Sequence, residues 1–129
     1  AWADRVGEAY AWRTLVAAGA TLAAGSDAPV ESVNPWIGIY AAVHRRFPGD
    51  TGGDWQPAQA LTFSEALSAY TLGPAQSVGA RDEGHLHVGA QADLAVLSVS
   101  LQELMLADEG LASVRSAMTV VGGREVHLR

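Results

Sequence analysis

Ala20-Thr21-Leu22-Ala23-Ala24-Gly25-Ser26-Asp27-Ala28-Pro29-Val30-Glu31-Ser32-Val33-Asn34 sets the class of the chain. Its opening, Thr21 to Ala24, is a near-continuous run of small apolar residues without polar alternation. That pattern suits a short parallel strand covered on both faces. Gly25 breaks the run, and Asp27 follows at its open end. Helical patterns lie on both sides, which is the rhythm of an α/β unit. In such units the functional groups sit on loops leaving the carboxyl ends of strands. Asp27 is therefore the first candidate for chemistry.

Upstream, Asp4 can cap a helix running to about Ala18, with Val6, Tyr10, Leu15 and Val16 near one face. Gly19 is its natural stop. Downstream, Asn34 as N-cap and Pro35 at the first helical position start a second helix. Trp36, Ile39 or Tyr40, and Val43 continue its apolar stripe, and Arg45 and Arg46 suit its carboxyl end. Phe47 to Pro57 is a loop dominated by glycine, proline and aspartate, with Trp55 as its large anchor. Thr62-Phe63-Ser64-Glu65 is a capping box that opens a third helix. A break is expected near Gly73-Pro74, and a short helix from Ala75 to Val78 closes at Gly79.

From Arg81 the pattern changes to strands and turns. Asp93 leads into an apolar strand, Leu94 to Leu97, and Leu101 to Ala107 suits a helical turn. Ala117 to Val121, Gly122-Gly123 and Glu125 to Leu128 read as a hairpin. The chain thus divides near residue 80 into an α/β part (1–80) and a small β element (81–129). So small a β element leaves open edges and an unburied face, and it is expected to pair with strands from outside this sequence.

With 129 residues the chain can bury a core but cannot form a complete (β/α)8 barrel, which needs roughly 200 to 250 residues. The formal charge of −6 argues against nucleic acid or an anionic membrane as a partner. No apolar run approaches the ~18 residues of a membrane span. Cysteine is absent, which excludes disulfides and thiolate metal sites and fits a cytoplasmic protein but also many secreted ones. The opening Ala1-Trp2-Ala3-Asp4, with no initiator methionine and close to a helical pattern, is expected to belong to a longer polypeptide.

Four ordered segments carry a family resemblance. The first is Gly25-Ser26-Asp27-Ala28-Pro29-Val30, with Asn34-Pro35 and Ala41-Ala42-Val43-x-Arg45 behind it. The second is Leu61-Thr62-Phe63-Ser64-Glu65-Ala66-Leu67-x-Ala69-Tyr70-Thr71. The third is Gly84-x-Leu86-x-x-Gly89-x-x-Ala92-Asp93-Leu94-Ala95-Val96-Leu97, and the fourth is Thr119-Val120-Val121-Gly122-Gly123-Arg124-Glu125-Val126. Together they resemble metal-dependent amidohydrolases, in the branch that includes N-substituted formamide deformylases. The resemblance spans about residues 20 to 127, and its specificity lies in the ordered series, since Gly-Ser-Asp alone is weak. It implies a fold of α/β class. Residues 1–80 would be the end of a metal-dependent (β/α)8 barrel, its last strand and trailing helices. Residues 81–129 would be the C-terminal share of a small β-sandwich.

The same resemblance implies that Asp27 binds a catalytic divalent metal, zinc by analogy, and serves as general base toward a metal-activated water. A metal acidifies water and polarises a carbonyl, and an adjacent carboxylate can move the proton. The competing reading is an Asx-type turn before Pro29. His85-Leu86-His87 has the alternation of a His-x-His metal pair, but the family's own pair ends the first barrel strand, so these read as exposed or turn histidines. His44, His127 and Asp93 read as surface, strand and turn groups. Trp36 and Trp55 suit structural aromatics, and Arg45 a helix-end cation, each with a substrate-facing alternative. The family's other metal ligands are absent, so the chain alone is expected to be inactive. The implied partners are a small amide-type substrate and the missing N-terminal part of the same protein. The alternative function is a non-catalytic assembly module forming a homo-oligomer.

Overall fold

Residues 3–106 and 110–128 are described by a computed structural model of the chain. A 3₁₀ turn over Ala3–Glu8 precedes α1 (Trp12–Ala17) and α2 (Pro35–His44). A second 3₁₀ turn, Pro57–Gln59, leads to α3 (Phe63–Tyr70) and α4 (Leu72–Ser77). Then come β1 (Leu94–Leu97), α5 (Leu101–Leu106), a third 3₁₀ turn (Leu111–Ser113), β2 (Ser116–Val121) and β3 (Arg124–Leu128). The strands form one antiparallel sheet in the order β1-β2-β3. The architecture is mixed α/β with a small antiparallel sheet.

Local signals set the elements that match the sequence. The Asn34 side chain accepts from the Trp36 N–H at 3.1 Å, and Pro35 follows at the first helical position. Thr62 and Glu65 close a reciprocal capping box on α3. Ser100 and Glu103 make the same exchange before α5, with Ser100 N–H to Glu103 at 2.8 Å and the return bond at 3.2 Å. α1 ends at Gly19 (φ 86°), where Ala20 N–H reaches the Leu15 carbonyl and Gly19 N–H that of Val16. This paired bonding satisfies carbonyls the helix would otherwise leave open. Gly122 and Gly123, both at positive φ, join β2 to β3 as expected of a two-residue hairpin.

Three expectations are corrected. Thr21 to Ala24 is not a buried strand: it lies outside the sheet, and none of its residues is buried. No parallel strand flanks it among the described residues, so its Ala24 N–H turns sideways to the Ala69 carbonyl at 2.8 Å. The helix expected from Asp4 to Ala18 is divided, because Tyr10 takes φ 50° between the 3₁₀ turn and α1. Gly7 in that first segment also weakens helix propagation. The break expected at Gly73-Pro74 falls earlier, at Thr71, and Pro74 sits in the first turn of α4, where its missing N–H costs nothing. Ala107, the last residue of the turn expected from Leu101, lies outside the described residues.

One core joins the two stretches of sequence. Trp36, Ile39, Tyr40 and Ala42 of α2 pack with Leu61 and Ala66 and with Leu104, Leu111 and Val114 from beyond residue 100. Asn34 reinforces the junction by donating to the Ala112 carbonyl at 2.9 Å. Trp36 is a structural aromatic, 8% exposed.

Candidate functional site

Asp27 stands at the end of a backbone segment clamped by α3 and α4. Gly73 in α4 approaches the Leu22 backbone so closely that a Cβ there would lie 1.9 Å from the Leu22 oxygen. Ala24 is tied to α3 as described, and the Tyr70 hydroxyl donates to the Gly25 carbonyl at 3.4 Å. That hydroxyl has room because Gly38 of α2 faces it without a side chain. Burial pushes the Tyr70 hydroxyl pKa up, which keeps it a donor.

Beyond this clamp the chain reverses. Asp27 takes φ 55°, its carbonyl accepts from Val30 N–H at 2.9 Å, and Ala28-Pro29 is cis. The turn is closed by the Asp27 backbone, whereas an Asx turn would use the side chain. Asp27 is exposed, and among the described residues its carboxylate has no hydrogen-bond partner. The geometry offers one outward-facing oxygen donor on a pinned backbone.

The other candidates are not brought to it as a ligand set. His85 and His87 lie in a turn, not a strand, with rings stacked 4.7 Å apart, and His85 Nε2 meets the Arg81 carbonyl at 3.0 Å. His44 stacks on Tyr40 at 4.3 Å. His127 is exposed on β3 opposite Thr119. Asp93 holds the hairpin, accepting from Gly122 N–H at 2.7 Å and from Gln91 at 3.1 Å. Among the described residues no group of three or more His, Cys, Asp or Glu could hold a metal. Asp27 fits one position of a metal's coordination shell, and three or four are needed. A metal centre is therefore not built by the described residues alone.

Arg45 stands at the end of α2, as expected, in the left-handed conformation. Its burial, at 6% exposed, was not expected. Trp12 and Trp55 flank its guanidinium. A sequence signal for this existed only as Arg45 near aromatic residues far apart in the chain. Gly38 and Gly73 carried a clearer one: glycine inside a helix is unfavourable unless something must approach closely.

Known proteins share this sequence pattern. The profile described as Amidohydrolase family matches residues 2–127. YtcJ of Bacillus subtilis (strain 168), named as a putative amidohydrolase, is 34% identical over 126 residues, which is 96% of this chain and 23% of that protein. LONG AFTER FAR-RED 3 of Arabidopsis thaliana is 32% identical across 95% of this chain and 20% of its own length. The N-substituted formamide deformylase of Arthrobacter pascens is 34% identical over 86 residues, 66% of this chain and 16% of that enzyme. The chain thus spans less than a quarter of each of these relatives. No solved structure matches it.

Proposed function

The chain belongs to the amidohydrolase family, and from that premise we propose that it is the C-terminal portion of a metal-dependent hydrolase that cleaves a C–N bond of an amide or formamide. The observation that supports this most is Asp27: an exposed carboxylate without a partner among the described residues, on backbone pinned by Ala69, Tyr70 and Gly73. In this reading residues 1–80 complete a (β/α)8 barrel and residues 81–129 a β-sandwich, and the other ligands come from polypeptide outside this chain. The relative named as an N-substituted formamide deformylase suggests the substrate class.

When bound, a divalent metal, zinc by analogy, would supply a water that ionises near neutral pH and a polarised scissile carbonyl. Asp27 would contribute one ligand oxygen to it. The second oxygen would take the proton of the attacking water and deliver it to the departing nitrogen. The clamp on Leu22 to Gly25 would hold the carboxylate in register for that transfer. The cytoplasm is the compartment we propose, on the cysteine-free composition alone.

The test is hydrolysis of an N-substituted formamide, followed by release of the amine. The chain alone with zinc should give no turnover, and the chain within the full polypeptide should give turnover that a chelator abolishes. Robust hydrolysis by the chain alone would contradict the reading.

A second reading, an assembly module, is favoured by one surface. Val96, Met118 and Leu128 are directly paired across the three strands and form an apolar row. Val96 and Leu128 are 50% and 61% exposed. Such a row suits a second sheet or a second copy of the chain. Sedimentation as a monomer at every concentration would exclude self-association.

A further inference from the structure

The cation at the carboxyl end of α2 has no ion-pair partner among the described residues. Arg45 is buried, with its Cζ 4.6 Å from the Trp12 ring centroid and 5.0 Å from that of Trp55. Nε donates to the Trp55 carbonyl at 3.1 Å, and Nη2 is buried with no hydrogen-bond partner among the described residues. The nearby acids are engaged elsewhere. Asp50 accepts from Phe47 N–H at 3.2 Å, and Asp54 pairs with Arg46 at 3.3 Å. Among the described residues no carboxylate forms a salt bridge with Arg45.

A buried cation with an unmade hydrogen bond is costly and is normally compensated. Burial also pushes the Arg45 pKa down, in line with a missing anion. The compensating group has room to arrive. Arg45 lines an open-mouthed cavity of about 320 Å³ whose walls include Tyr10, Trp12 and Trp55, with the charged Arg46 and Asp50 at the same site. Tyr10 meets both indoles edge-on, at 5.9 Å from Trp12 and 5.6 Å from Trp55. Flat aromatic walls around a guanidinium fork match a planar anion, and a carboxylate is the planar anion that a fork binds best.

We propose that this cavity binds a carboxylate, which supplies the acceptor that Arg45 Nη2 lacks. The acid enters beside Trp55, which is 42% exposed, and reaching the buried Nη2 requires the Trp55 indole to move aside. The carboxylate comes either from a free aromatic acid or from an aspartate or glutamate side chain of further polypeptide. Both sources present the same group to Arg45.

The experiment titrates the chain with benzoate, with its neutral isostere benzamide, and with acetate, following the Arg45 Nε–H and indole N–H resonances by NMR. Benzoate should shift these signals saturably and bind at least roughly ten-fold tighter than benzamide, because only the charged group satisfies the guanidinium. Arg45→Lys, which keeps charge but not the fork, should lose a similar factor. Benzoate tighter than acetate identifies a free aromatic acid as the source. Acetate equal to or tighter than benzoate, with both exceeding benzamide, identifies an aliphatic carboxylate, the class an acidic side chain belongs to. Either result supports the site. Benzoate no tighter than benzamide, shifts that avoid Arg45 and its indoles, or no saturable binding would overturn it. The benzoate and benzamide comparison uses the unaltered chain, so it stands even where Arg45→Lys fails to fold.

Discussion

Gly73→Ala should destabilise the chain through the backbone that carries Asp27. The new Cβ would lie 1.9 Å from the Leu22 oxygen and 3.0 Å from its carbon. Real Cβ contacts essentially stop at 3.0 Å, so the gap must open by at least the difference, about 1.1 Å. Neither side yields easily, since Leu22 is backbone and Ala24 is bonded to Ala69 at 2.8 Å. Overpacking of this kind costs about 1–3 kcal/mol, and a backbone obstacle argues for the upper half of that range. Alanine regains about 0.4–1 kcal/mol through the unfolded chain. The net loss is then about 1–2.6 kcal/mol. At a urea dependence of about 2 kcal/mol per molar, the midpoint falls by roughly 1 M. Gly38→Ala is the internal control, because its Cβ meets the far end of the Tyr70 side chain, at 1.9 Å from the hydroxyl, and that ring can turn away. Its net loss should stay under about 1 kcal/mol. Equilibrium urea denaturation by circular dichroism measures both. A Gly73→Ala midpoint equal to that of the unaltered chain would refute the clamp.

Three further outcomes follow from the core and the caps. Ile39, 1% exposed in the shared core, should lose about 2–5 kcal/mol as alanine, again read from the urea midpoint. Asn34→Ala removes both the cap on Trp36 and the bond to Ala112, and should cost about 1–2 kcal/mol with faster amide exchange at Trp36. The Arg13 fork grips Glu65 at 2.5 and 2.6 Å, and with Thr62 it lowers the Glu65 pKa to about 2. A depressed carboxylate stabilises the fold above its ordinary value of 4.5, and that contribution is lost as pH falls toward about 2. The pair is about a third exposed, so added salt should weaken the effect. Melting across this pH range should be flatter for Glu65→Gln; identical slopes would contradict the assignment.

What could be read from sequence was what short-range physics decides. Asn34-Pro35, Thr62 with Glu65, and Gly122-Gly123 each act within four residues, and each formed as expected. Thr21 to Ala24 failed because strand pairing needs a neighbour, and none flanks it among the described residues. Tyr10 was unreadable for a related reason: its left-handed backbone accompanies contacts with Trp12 and with the distant Trp55. Arg45 was legible as a helix-end cation because helix-end position is a local cue, whereas its burial depends on Trp12 and Trp55. Asp27 was legible as a position, by its glycine break and by the family series. The clamp behind it was not, since it joins Leu22 to Gly73, far apart in the chain.

The role proposed for Asp27 stands or falls on Asp27→Asn within the full polypeptide, assayed for formamide hydrolysis and for bound metal. Asparagine keeps the size of the side chain but removes the charge that would ligate metal and accept the proton. Turnover should fall at least roughly 100-fold, metal content should drop, and the urea midpoint of the chain should stay unchanged because Asp27 is exposed. Turnover and metal content equal to those of the unaltered protein would contradict the account.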